Sequence, residues 1–133
     1  MKSLIIEGTE DSPSVKFDVN SGQFVISGKS RPENTGKFFS PVINWLTEFY
    51  ESLPSQNGQT ADNSAIVFAF KLDYFNSISA KYILDIIFAL QGFVSKGNKI
   101  AIEWHCAKLD DDMLETGKEF SNMVNLKFDF IQH

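Results

Sequence analysis

The chain has 133 residues, 43% of them hydrophobic and 22% charged, with thirteen phenylalanines; this is enough apolar material for one domain, residues 1–133, and it excludes global disorder. A net charge of −5 repels a polyphosphate backbone and speaks against nucleic acid as a ligand. Cys106 is the sole cysteine, the opening apolar run stops at Glu7 and Gly8, and the apolar stretch Tyr82–Val94 is shorter than the roughly 20 residues of a membrane span, so a cytoplasmic protein without disulfide, signal peptide or membrane segment is expected.

Short alternating runs come first: Leu4–Glu7, then Val15, Phe17 and Val19, then Phe24 and Ile26 ending at Ser27 and Gly28. Asn20, Ser21 and Gly22 supply a tight turn between the second and third, which predicts a hairpin. Ser40 as cap and Pro41 at the first helical position open a predicted helix, whose Val42, Trp45, Leu46, Phe49, Tyr50 and Leu53 recur at helical spacing. Residues 54–63, PSQNGQTADN, read as a surface loop.

Ala65–Leu72 is apolar on both parities, as a central strand is. A second helix is predicted over Ile78–Lys96, ended by Gly97 and Asn98, and Ile100–Cys106 is a further strand. Asp110, Asp111 and Asp112 precede the apolar positions of a third helix, and Leu126, Phe128 and Phe130 close the chain as a strand. The order β-β-β-α-β-α-β-α-β implies parallel pairing of the later strands. Bulky Ile66, Phe68, Phe70 and Leu72 alternate with small or polar Ala65, Ala69 and Lys71, and Ile100, Ile102 and Trp104 alternate with Ala101, Glu103 and His105. This parity predicts an α/β fold with a mixed β-sheet and helices mainly on one face, with Trp45, Phe68, Phe70, Ile83, Ile87, Trp104 and Phe120 in the core.

Three candidate sites fail on spacing or isolation. Gly22–Ser30 ends in Gly-Lys-Ser but has five residues where a phosphate-binding loop has four, and Arg31 and Pro32 follow instead of a helix. The Asp110–Asp112 run lacks the alternation and glycine of a calcium loop, and Cys106 stands in no Cys/His motif and reads as a buried thiol. No metal or other cofactor is expected. Glu103 and His105, two apart on the lighter strand face, leave an alternative open: a small enzyme or ligand-binding domain with an acid–base pair there, against the plainer reading of a polar sheet face.

The remaining candidate is Tyr74–Lys81, YFNSISAK, at the turn from a central strand into a long helix, where free backbone amides accommodate a phosphate. Ser77 lies at or beside the helix cap, with Lys81 four residues on and on the same face; the plainer reading is that Asn76 or Ser77 simply caps the helix.

The segments IIEGTEDSP (Ile5–Pro13), FVISGKSRPEN (Phe24–Asn34), PVINWL (Pro41–Leu46), YFNSISAKYILDI (Tyr74–Ile86), GNKIAIEWH (Gly97–His105) and DDDMLETGKEF (Asp110–Phe120) are collinear over nearly the whole chain. Together they resemble the SiaC-type bacterial regulatory phosphoproteins. The resemblance implies a fold similar to the STAS domains of anti-sigma factor antagonists and a non-enzymatic, partner-switching role. A Ser/Thr kinase of GHKL type would phosphorylate the protein, and a PPM-type phosphatase would restore it. The unphosphorylated form would bind a target, in the best-known case a diguanylate cyclase that makes cyclic di-GMP. The family's modified residue, typically a Thr after an Asn, falls on Ser77, which keeps the hydroxyl; Ile78 stands where a small hydroxyl residue is common. Tyr74, Asn76, Ser79 and Lys81 around it, and Arg31, Glu33 and Asn34 at another strand exit, are the expected partner-binding or phosphate-neighbouring residues.

Overall fold

The computed structural model describes residues 1–53 and 65–133; the predicted loop over residues 54–63 lies outside them. Strands β1 (Leu4–Ile6), β2 (Ser14–Asp18), β3 (Gln23–Ser30), β4 (Ile66–Phe75), β5 (Ile100–Cys106) and β6 (Phe128–Gln132) stand in the sheet in sequence order. The first three pair antiparallel and the last four parallel. Helices α1 (Thr35–Ser52), α2 (Ser77–Ser95) and α3 (Asp111–Val124) each cross from one parallel strand to the next. Crossovers of one hand that all step in the same direction deposit their helices on one face.

The register bears this out. Phe17, Phe24, Phe68, Ile102 and Phe128 align across five strands, and the next inward row is Val15, Ile26, Phe70, Trp104 and Phe130. These rows meet the helices. Phe24 stacks on Phe68 at 4.9 Å, Phe17 meets Trp45 of α1 at 5.0 Å, and Trp104 meets Phe120 of α3 at 5.7 Å. All seven predicted core residues are buried, each contributing roughly 1.5–3 kcal/mol by leaving water. The opposite face carries Lys16, Val25, Ala69, Glu103 and Asp129 in one row and has no helix over it among the described residues. Among the described helices, α2 is the one long and apolar enough to cross a membrane by composition, but its Ile83, Ile86, Ile87, Leu90 and Phe93 are buried in this core.

Several boundaries differ from the sequence reading. Helix α1 begins at Thr35, not Pro41, because the Asn34 side chain accepts the Lys37 N–H at 3.0 Å; Pro41 sits inside the helix and Ser40 is not the cap. Strand β3 passes through Gly28 to Ser30, the glycine at φ +97° marking a bulge where the register with β4 shifts rather than an end. Strand β4 continues to Phe75, and β6 runs two residues beyond its expected end, to Gln132.

Candidate functional site

Because β3 and β4 are parallel, their carboxyl ends lie side by side, with Lys29 opposite Tyr74 and Ser30 opposite Phe75. Each then turns into a helix, so the starts of α1 and α2 share this edge; Phe39 of α1 stacks on Tyr82 of α2 at 5.4 Å. The α2 start is fixed by three bonds. The Asn76 backbone N–H donates to the Ser30 carbonyl at 3.1 Å, the Asn76 side chain accepts from the Ser79 N–H at 2.9 Å, and the Asn76 carbonyl accepts from Ala80 at 2.9 Å. Asn76 is therefore the cap, in extended conformation at φ −81° and ψ 174°.

Ser77 is the first helical residue and is exposed, and its hydroxyl has no hydrogen-bond partner among the described residues. Its neighbours Tyr74 and Ile78 are exposed apolar side chains, at 45% and 59%. Ile78, read at first only as a departure from the family, thus joins the surface, and Glu33, Asn34 and Lys37 of the α1 start share an open depression with it. A free hydroxyl at a helix start, with no base bonded to it among the described residues, can accept a phosphate when another protein supplies the base that takes its proton.

The other expected neighbours divide. Ser79 is a correction: it is wholly buried, accepting a hydrogen bond from the Ser30 hydroxyl at 2.8 Å, so it positions the α2 start and presents nothing to a partner. Lys81 lies 3.6 Å from Asp85 and over the Tyr82 ring at 4.7 Å, turned along the helix. Arg31 holds the loop after β3: its Nε donates to Asp11 Oδ1 at 2.8 Å, and its N–H donates to the Asp11 carbonyl at 2.8 Å. The hydrogen bond and charge of Asp11 raise the guanidinium pKa further, with smaller contributions from Glu10 and Tyr74.

On the open face, Glu103 and His105 do meet, with His105 Nε2 at 2.9 Å from Glu103 Oε1. His133, which the sequence reading did not include, completes a chain: its Nε2 lies 2.9 Å from His105 Nδ1, with the rings stacked at 5.1 Å. A carboxylate only accepts, so His105 donates through Nε2, and in its neutral form its Nδ1 is then the acceptor of the His133 N–H. A cavity of about 330 Å³ adjoins them, with Lys71, Asp73 and Asp110 in its wall. Asp110 is occupied in capping α3, accepting from Met113 N–H at 3.0 Å. Cys106 is buried, and burial pushes its thiol pKa up, so its sulfur is not activated as a nucleophile. Among the described residues, no three His, Cys, Asp or Glu converge as a metal site.

Comparison with known proteins follows the same lines. The chain is 27% identical over its whole length to an uncharacterized protein of Pseudomonas aeruginosa strain UCBPP-PA14, covering 98% of that protein. The crystal structure of apo-SiaC from Pseudomonas aeruginosa superposes with a TM-score of 0.83 at 25% identity, over 98% of this chain and 99% of that one. SiaC in the crystal structure of the diguanylate cyclase SiaD in complex with its activator SiaC, from the same organism, gives 0.82 at 25% identity, over 98% and 99% of the two chains. Residues 6–133 match the description SiaC family regulatory phosphoprotein, and the chain belongs to that family.

Proposed function

We propose that the protein is a non-enzymatic cytoplasmic switch whose state is set by reversible phosphorylation of Ser77. A Ser/Thr kinase of GHKL type adds the phosphate and a PPM-type phosphatase removes it. The unphosphorylated form binds and activates its target, a diguanylate cyclase, as the solved SiaD complex with its activator SiaC suggests by likeness.

The observation that carries this reading is the division of labour at the α2 start: Asn76 caps the helix, which leaves the exposed Ser77 hydroxyl without a structural task. The phosphate adds about −1.5 to −2 charges. The helix start favours an anion by roughly 0.3–1 kcal/mol, so the fold tolerates it. Between Tyr74 and Ile78, however, the same charge resists the desolvation that a partner's apolar surface demands. The partner leaves while the domain stays folded.

Phosphopeptide mapping of the protein from its native cells tests the modification, with phosphate on Ser77 expected. Phosphate found only elsewhere, or none in any growth condition, would overturn the assignment.

A further inference from the structure

The sheet is open, so β1 and β6 each have one side without a partner strand among the described residues. Such an edge offers backbone N–H and C=O groups to another strand, and folded proteins usually blunt it by shortness, charge or proline. β1 is blunted: it has three residues and runs into Glu7. β6 has five, Phe128–Gln132, with neither proline nor lysine among them.

Alternation along β6 decides which groups face outward. The His133 N–H donates to the Cys106 carbonyl at 3.0 Å, and the His133 carbonyl accepts from the Lys108 N–H at 2.8 Å, so the backbone of His133 points toward β5. The direction reverses at each residue. Ile131 and Asp129 therefore also bond toward β5, while Phe128, Phe130 and Gln132 present their N–H and C=O groups to the free side, where none has a partner among the described residues. That set is symmetric about Phe130. A two-fold axis there sets Phe130 against the second copy's Phe130 and Phe128 against its Gln132, and because each opposed pair exchanges both N–H···O bonds, every outward group on both strands is satisfied. The side chains agree with this register. Phe130 stands in the inward row yet is 37% exposed at the sheet's end, and the axis lays it beside its own equivalent; on the other face Asp129 meets Ile131, so no like charges are opposed. Pairing β6 with another copy's β1 would leave free edges and propagate, whereas the two-fold closes.

We propose that the protein forms a two-fold dimer by antiparallel pairing of β6 with β6 of a second copy, centred on Phe130, which joins the two sheets into one. The dimer is independent of the switch at Ser77, because its edge lies beyond β5 from the β3–β4 end that leads there. Sedimentation equilibrium of the full chain between about 10 µM and about 1 mM, where a small interface associates, is expected to show the mass rising from one chain toward two. Phe130→Pro removes the central outward N–H without touching the β5 ladder and raises the dissociation constant by about tenfold or more, with a thermal melt to report folding. Phe130→Glu, which opposes like charges at the axis, has the same effect and stands in if the proline variant unfolds. Phe130→Cys, with Cα atoms about 5.5 Å apart across the pair, gives a disulfide-linked dimer under mild oxidation, while Gln132→Cys, which faces Phe128, does not; Cys106 is buried and common to both variants. A single-chain mass at every concentration, association unchanged in the folded Phe130 variants, or cross-linking through Gln132→Cys and not Phe130→Cys would overturn the proposal.

Discussion

The Ser30 hydroxyl donates to the Ser79 hydroxyl at 2.8 Å, and both residues are wholly buried. The bond ties the last residue of β3 to the first turn of α2 and so sets where Ser77 emerges. Ser79→Ala leaves the Ser30 donor buried and unpaired, a loss of about 1–3 kcal/mol. The double variant Ser30→Ala and Ser79→Ala, which removes both polar groups, recovers part of it. Urea denaturation of Ser30→Ala, Ser79→Ala and the double variant measures the cycle; strictly additive losses would show that the two hydroxyls do not depend on each other.

Cap and modification site are adjacent residues with opposite expectations. Asn76→Ala removes the acceptor of the Ser79 N–H and lowers stability by about 0.5–2 kcal/mol. Ser77→Ala touches no such bond and stays within about 0.5 kcal/mol of wild type. Chemical denaturation distinguishes them, and a larger loss for Ser77→Ala than for Asn76→Ala would reassign the cap.

Much of this architecture was legible in the sequence, because side-chain parity is a local property. Phe68, Phe70 and Leu72 recur at every second residue with Ala69 and Lys71 between them, and that alternation indicated one covered face. The α1 start was misread because Ser40-Pro41 imitates a helix opening, whereas the cap is Asn34, followed by Thr35 and Gly36, both poor helix formers. Ser79 and His133 were not legible for another reason. The first is buried by a residue 49 positions away and the second meets one 28 positions away, and both contacts exist only once the strand register is set.

Trp104 packs against the helix that follows it. Its Nε1 donates to the Met113 carbonyl at 3.0 Å, and a methyl at Gly117 would stand 2.5 Å from the indole Cδ1 and Nε1. Gly117→Ala therefore forces α3 from the sheet or turns the ring, at a cost of about 1–3 kcal/mol. A lowered Tm with altered tryptophan fluorescence is expected; wild-type stability would show that α3 has room to shift.

Acid sensitivity should appear at the β2–β3 turn. The Ser21 hydroxyl and then the Asn20 N–H hold the Asp18 carboxyl below its ordinary pKa of 3.8, with smaller contributions from the Ser21 N–H and Ser3. A depressed folded-state value contributes stability that is present above the ordinary pKa and is lost as pH falls through the folded one. Asp18→Asn therefore flattens the stability profile below about pH 4 and leaves its shape near neutrality unchanged. Unfolding curves across the acid range check this, and an unaltered acid limb would remove Asp18 from the account.

The switch itself is tested most directly by one binding measurement. The protein carrying phosphoserine at position 77, made by genetic incorporation, is compared by calorimetry with the unmodified chain for affinity to the diguanylate cyclase of its own cells. The account predicts that the unmodified chain binds and that the phosphorylated chain, equally folded by its thermal melt, binds at least about tenfold more weakly, as a charge placed in an apolar interface requires. Equal affinity of the two forms would contradict it.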